Sequence, residues 1–182
     1  MKKLCVLFPG IGYTCDKPLL YYSAKLARAR GYEVIALKYS GFPEGAKGND
    51  EKLRLAAAHA LTQSEQQLAD IDFSGFGRIV FVGKSIGTRT CLEYKAKHNI
   101  KACGVLFTPL EFTFEQSADG FCAFHGTADP WAKTAEIERL CKENALPLYE
   151  YADANHSLET GDVMRDIINL RDVMEKAGVI IA

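Results

Sequence analysis

Short apolar runs alternate with amphipathic segments along the whole sequence, and this alternation constrains the fold more than any other feature. The runs are nearly continuous in Val, Ile, Leu, Phe and Cys, which is typical of parallel strands covered on both faces. They predict strands at 4–8, 33–39, 78–82, 102–107, 120–125 and 147–151. The pattern therefore predicts an α/β fold, a three-layer αβα sandwich around a mostly parallel sheet of about six strands.

Helices are predicted between the strands from apolar spacing and from residues that favour helix ends. Five segments share these signals: 18–30, 50–70, the stretch after Ser85, the stretch from Thr134, and 162–177. Gly31 and Gly178 are predicted to end the first and the last helix, because glycine is favoured just past a helix end. The 182 residues contain no linker or internal repeat, so a single domain spanning 1–182 is predicted.

Composition and charge argue against several classes of partner and location. The net charge of −1 offers no attraction to nucleic acid or to an anionic membrane, so neither partner is expected. The first apolar run is too short for a signal peptide and no run is long enough to span a bilayer, so we expect a cytoplasmic protein. The six cysteines lie mostly in apolar or helical patterns without CxxC, which predicts reduced core thiols.

The segment RIVFVGKSIGT, residues 78–88, has two interpretations. A phosphate-binding loop reads GxxxxGK[ST], but Arg78 stands where its first glycine would be, and strand-like residues leave no room for a loop. The other interpretation is GxSxG between a strand and a helix, which is typical of a nucleophile elbow. There a strained turn exposes a serine hydroxyl, and the flanking glycines relieve crowding. The second interpretation is favoured, with Ser85 as the candidate nucleophile.

A serine hydroxyl becomes a good nucleophile only when a base accepts its proton and an acid orients that base. Asp129 follows the fifth predicted strand and His156 follows the sixth. Because the carboxyl ends of parallel strands meet at one edge of a sheet, both are expected near the serine. Asp119 and Asp153 are weaker candidates for the acid, and His125 is a weaker candidate for the base.

The three segments GKSIG, HGTADPW and NHSLE resemble the motifs of the α/β-hydrolase family, in the same order and across essentially the whole chain. The resemblance implies Ser85 as nucleophile, His156 as general acid/base and Asp129 as the orienting acid. It also implies a minimal fold without a lid, as in small esterases, thioesterases and dienelactone hydrolases, because the chain is short for this family.

The same resemblance implies an oxyanion hole built from backbone N–H groups. One donor is expected from Ile86, directly after the nucleophile, and the second from the loop after the first strand. Family members often have His-Gly in that loop, whereas this chain has Pro9-Gly10. Ile11 is the preferred second donor, and Gly12 and Tyr13 stay open as alternatives.

The substrate pocket is expected to be open and shallow, because only residues 108–119 stand where a lid usually enters. The candidate wall residues are large and apolar: Tyr13, Phe112, Phe114, Trp131 and Leu158. Lys84 within the elbow could bind a carboxylate or phosphate of the substrate, or extend into solvent, and the second is slightly favoured. Cys15 is weighed as a reactive thiol, which is the less favoured interpretation.

The predicted function is hydrolysis of a small carboxylic ester or thioester through an acyl-enzyme, with no metal and no organic cofactor. A non-catalytic binding or adaptor protein with the same fold is the alternative, since fold does not imply function. The acyl chain, the choice among ester, thioester and amide, and the oligomeric state are left open by the sequence.

Overall fold

A parallel sheet of six strands forms the centre of the computed structural model, which describes residues 1–46 and 48–182. The strands lie in the order β2-β1-β3-β4-β5-β6. They are β1 (Lys3–Phe8), β2 (Tyr32–Ala36), β3 (Arg78–Lys84), β4 (Cys103–Phe107), β5 (Phe121–Gly126) and β6 (Leu148–Tyr151). The prediction of an α/β fold with a parallel sheet of about six strands is confirmed.

Helices cover both faces of the sheet. They are α1 (Pro18–Ala29), α2 (Asp50–Gln67), α3 (Ile86–Lys97), α4 (Thr134–Glu143) and α5 (Val163–Ile181). Helices α1 and α5 share one apolar cluster with the sheet, and α2, α3 and α4 share the other. Adjacent β3 residues alternate between the clusters, with Val80 and Val82 facing α1 and α5 and Phe81 facing the other layer. Burial on both faces explains why the strands read as continuous apolar runs.

Strand β2 ends at Ala36 rather than at 39, because the chain leaves the sheet for helix α2. The Lys38 N–H donates to Oε1 of Gln67 at 3.0 Å, and the Ser40 N–H donates to Oε1 of Gln63 at 3.1 Å. These side chains take the hydrogen bonds that a longer ladder at this sheet edge would need.

Gly178 does not end the last helix, contrary to the prediction, because α5 continues to Ile181. A Cβ at Gly178 would lie 3.2 Å from the Arg30 guanidinium, and the Gly178 carbonyl oxygen accepts a hydrogen bond from Arg30. The glycine therefore permits a close approach between α5 and the end of α1. Asp162 caps the other end of α5 by accepting hydrogen bonds from the N–H groups of Met164 and Arg165, both at 3.0 Å.

The connection from β4 to β5, residues 108–120, contains a single 3-10 turn at Glu111–Glu115 and no lid. It packs against α3 and α4, on the layer that also contains α2. None of the helices within the described residues is long and apolar enough to cross a membrane.

All six cysteines are free thiols, as predicted. Burial raises the pKa of Cys5, of Cys122 and of Cys141 to about 12, so these thiols stay protonated at neutral pH. They behave as small apolar side chains of the core.

Candidate active site

Ser85 occupies a sharp turn between β3 and α3, with φ of 56° and ψ of −124°. A residue with a side chain adopts such a positive φ only when its surroundings hold it there. The Ser85 N–H donates to the Phe107 carbonyl oxygen at 3.0 Å, and the Thr88 N–H donates to the Ser85 carbonyl oxygen at 2.9 Å. The neighbouring strand and the first turn of α3 thus fix the strained conformation.

Three glycines allow the backbone segments around this turn to approach one another. A Cβ at Gly87 would lie 2.0 Å from the Phe8 carbonyl oxygen, and a Cβ at Gly83 would lie 2.7 Å from the Gly87 carbonyl oxygen. A Cβ at Gly10 would lie 3.0 Å from Cβ of Ser85. The absence of side chains at these positions lets the loop after β1 lie directly against the candidate nucleophile.

The structure brings Ser85, His156 and Asp129 into one chain of hydrogen bonds at the carboxyl edge of the sheet. Ser85 Oγ lies 2.8 Å from His156 Nε2, and His156 Nδ1 lies 2.6 Å from Asp129 Oδ2. The Asp129 side chain is fully buried, and its Oδ1 accepts a hydrogen bond from the Trp131 N–H at 2.9 Å. This order, a hydroxyl, an imidazole and a carboxylate, is the arrangement that activates a serine.

The rival residues from the sequence have other partners. Asp153 pairs with Arg165 at 3.1 Å, and Asp119 accepts a hydrogen bond from the Ser117 hydroxyl at 2.8 Å. His125 is fully buried, and its Nε2 lies 3.0 Å from the Thr134 hydroxyl. These contacts keep all three rivals out of the hydrogen-bonded chain at Ser85.

The surroundings of His156 favour its neutral form. Burial, and after it the positive charge of Lys84, lower its pKa to about 4 against the opposing effect of the Asp129 carboxylate. A neutral ring that donates from Nδ1 to Asp129 has a lone pair on Nε2 that accepts the Ser85 hydroxyl proton. The indole of Trp131 stacks on the imidazole, with ring centres 4.4 Å apart and an interplanar angle of 26°, which holds the ring in place.

Two backbone regions beside Ser85 offer unpaired N–H groups. Ile86 is the first residue of α3, where a helical N–H has no partner within the helix. In the loop after β1, Gly10 and Tyr13 exchange hydrogen bonds at 3.1 and 3.4 Å, which uses the Tyr13 N–H. Within the described residues, the N–H groups of Ile11 and Gly12 donate to no acceptor. Ile86 with Ile11 or Gly12 can therefore supply two donors to an oxyanion.

The cleft over Ser85 has a volume of about 280 Å³. Its walls come from the three loops that follow β1, β5 and β6 and from the elbow itself: Ile11, Gly12, Tyr13, Lys84, Ser85, Pro130, Trp131, Asn155, His156 and Ser157. Of the five predicted wall residues, Tyr13 and Trp131 line this cleft.

The other three predicted wall residues lie elsewhere. Phe112 and Phe114 are buried in the core on the α2, α3 and α4 side, because the connection from β4 to β5 packs down on that layer. Leu158 has a φ of 61° and lines a separate cavity of about 260 Å³ between α1 and α5. The turn at Leu158 directs the chain away from the cleft and toward the start of α5.

Lys84 is buried in the structure, which corrects the slightly favoured expectation that it extends into solvent. Its relative exposure is 1%, and its ammonium lies 4.9 Å from the centre of the Tyr13 ring. Burial lowers its pKa to about 7. The signal was present in the sequence, because strand alternation puts position 84 on the same buried face as 80 and 82.

Cys15 has no reactive thiolate. Its thiol donates to the Leu37 carbonyl oxygen at 3.5 Å, and burial raises its pKa to about 12. Among residues 1–46 and 48–182, no cluster of three or more His, Cys, Asp or Glu side chains is arranged to hold a metal ion.

Solved structures with the same architecture are α/β hydrolases. A predicted CIB-like hydrolase from Thermoplasma acidophilum superposes with a TM-score of 0.66 at 17% identity, covering 98% of this chain and 86% of that one. A serine hydrolase without a lid from Xanthomonas campestris gives 0.61 at 15% identity, covering 97% and 80%. An esterase from Pyrococcus furiosus gives 0.62 at 15% identity, covering 97% and 82%.

These likenesses, at low identity, show the fold. No protein-family model and no curated protein matches the sequence. The chain has the α/β-hydrolase fold in its lidless form, as the sequence motifs implied.

Proposed function

We propose that the protein is a serine hydrolase that cleaves a small carboxylic ester or thioester through an acyl-enzyme. The observation that supports this most strongly is the pair of short hydrogen bonds from Ser85 through His156 to Asp129, at 2.8 and 2.6 Å. A hydroxyl held in a strained turn against a neutral imidazole is organised for proton transfer and not for packing.

The reaction proceeds in two halves. His156 Nε2 accepts the Ser85 proton while Oγ attacks the substrate carbonyl carbon, and Asp129 stabilises the positive charge that forms on the imidazole. The negative oxygen of the tetrahedral intermediate is bound by the N–H of Ile86 and that of Ile11 or Gly12. Each such donor contributes about 10²–10³ to the rate. His156 then protonates the leaving alcohol or thiol, and water attacks the acyl-enzyme with His156 again as base.

The cleft favours a small substrate. The cleft has a volume of about 280 Å³ at the carboxyl edge of the sheet, and no lid covers it among residues 1–46 and 48–182. Esters and thioesters fit this site because their leaving groups need little help beyond one proton from His156. Neither half of the reaction requires a metal or an organic cofactor.

The test compares Ser85→Ala with Ser157→Ala, a variant that removes a second hydroxyl from the same cleft. With 4-nitrophenyl acetate or butyrate as substrate, Ser85→Ala is expected to lose at least 10³-fold in kcat, since the nucleophile is gone. Ser157→Ala is expected to stay within about threefold of the wild type because its hydroxyl takes no part in proton transfer. Equal turnover by Ser85→Ala and wild type would refute Ser85 as the nucleophile, and a wild type no faster than buffer would favour the binding protein that the sequence left as the alternative.

A further inference from the structure

Lys84 has an almost fully buried side chain directly beside the candidate nucleophile. Within the described residues, its ammonium makes no hydrogen bond and no ion pair, and its contact is with the face of the Tyr13 ring. The nearby carboxylate of Asp129 is already used by His156 and by the Trp131 N–H. An ammonium removed from water without a partner is costly, so its presence here calls for a ligand.

The position of Lys84 in the fold aims it at the cleft. Residues 80, 82 and 84 lie on one face of β3, and 84 is the last of them, at the carboxyl edge of the sheet. Tyr13 stands above it, held by a hydrogen bond from the Leu19 N–H to its hydroxyl at 3.1 Å. Lys84, Tyr13 and Ser85 all line the same cleft. The ammonium and the nucleophile are thus presented to the same small substrate.

We propose that Lys84 is a specificity-determining residue whose ammonium binds a carboxylate carried by the ester substrate. The inference rests on the proposed function, since it concerns the substrate of that site. A carboxylate in the cleft would accept charge-assisted hydrogen bonds from the ammonium, which are stronger than neutral ones. It would also form a direct ion pair with Lys84, which neither Asp129 nor Glu159 does within the described residues. Through this contact the Lys84 ammonium would select acidic esters over neutral esters of equal size.

Two features of the site agree with this role. Burial lowers the pKa of Lys84 to about 7, and an anion bound beside it would raise that pKa and keep the ammonium charged. Glu159, the other carboxylate whose charge acts on Lys84, is exposed and forms no ion pair with it within the described residues. The ammonium is therefore not neutralised by the chain before substrate arrives.

The experiment uses matched pairs of esters with wild type and Lys84→Met at pH 6.5. Monomethyl esters of succinate, glutarate and adipate carry the carboxylate on the acyl side, and each is paired with a methyl ester in which an isopropyl group replaces it. Acetyl esters of 4-hydroxybenzoate and 4-hydroxybenzamide place the carboxylate or its neutral isostere on the alcohol side. The readout is the ratio of kcat/KM for the acidic ester to that for its neutral partner.

The wild type is expected to prefer the acidic ester at least tenfold in kcat/KM, either in the acyl-side series or in the alcohol-side pair. The set that shows the preference identifies whether the substrate carries its carboxylate on the acyl or on the alcohol part. Lys84→Met is expected to lose that preference. The proposal is overturned if the wild type shows no preference in either set, or if the preference persists in the variant. It is also overturned if the variant slows both partners equally, since Lys84 would then act through His156. Full turnover by Ser85→Ala would instead refute the proposed function.

Discussion

Replacing Lys84 with methionine should stabilise the protein, because the buried ammonium opposes folding. Methionine has nearly the same length and no charge, so it fills the space over Tyr13 without a large cavity. In the unfolded chain Lys84 has its ordinary pKa of 10.5, whereas burial in the folded protein lowers that pKa to about 7. Between pH 10.5 and about 7 the unfolded state therefore binds the proton while the folded state does not, and the folded state loses stability as pH falls through this range.

The magnitude follows from the two pKa values. The interval from 10.5 to about 7 corresponds to about 5 kcal/mol, since one pKa unit is about 1.4 kcal/mol. The variant also loses the contact between the ammonium and the Tyr13 ring, which reduces the gain in stability by about 1 kcal/mol. The expected net gain in the free energy of unfolding is about 4 kcal/mol at pH 6. It shrinks to about 2 kcal/mol at pH 9, where the folded protein already has a neutral lysine and no ammonium contact with the Tyr13 ring to lose.

Urea unfolding at pH 6 and pH 9, followed by circular dichroism, measures how much more stable Lys84→Met is than the wild type at each pH. A gain of about 4 kcal/mol raises the melting temperature by roughly 8–16 °C for a chain of this size. Lys101→Met replaces an exposed lysine and should change stability by less than about 0.5 kcal/mol at both pH values. A Lys84→Met protein that is less stable than wild type at pH 6, or a gain that does not depend on pH, would refute the reasoning.

Two further predictions concern catalysis. Asp129→Asn should lower kcat for 4-nitrophenyl acetate by about 10³–10⁴-fold, because the amide no longer holds the imidazole in its productive form. Asp153→Asn, which lies outside the hydrogen-bonded chain, is the control. A similar loss of kcat in both variants would contradict the assignment of Asp129. The acid limb of the pH profile of kcat/KM should have its midpoint near pH 4 rather than near 6.5, because burial and the positive charge of Lys84 lower the pKa of His156 to about 4. Since the neutral ring is the active base, kcat/KM falls as pH drops below that value. A midpoint near 6.5 would contradict the burial argument.

Local sequence patterns predicted the sheet and the elbow because both are set by short-range physics. Continuous apolar runs follow from burial on both faces, and the elbow glycines follow from approaches as close as the 2.0 Å that a Cβ at Gly87 would leave to the Phe8 carbonyl oxygen. Strand order along the chain also placed Asp129 and His156 at the same edge as Ser85. The end of α5 could not be predicted, because Gly178 serves a contact with Arg30 that is distant in sequence.

The walls of the cleft were harder to predict than its centre. Phe112, Phe114 and Leu158 are apolar residues in loops near the site, and composition alone does not indicate which way a loop folds. The direction is set by packing against α3 and α4 for the first two and by the positive φ of Leu158 for the third. The burial of Lys84, by contrast, was indicated by the sequence. Its position in the alternation of β3 outweighs the usual exposure of lysine.

Covalent labelling of Ser85 by a fluorophosphonate tests the central claim most directly. The probe reacts with a serine only when a base activates its hydroxyl, and peptide mapping by mass spectrometry locates the adduct. We expect one adduct, on Ser85, that forms readily in the wild type and at least 10²-fold more slowly in His156→Ala. An unlabelled Ser85, or equal labelling with and without the imidazole, would contradict the account.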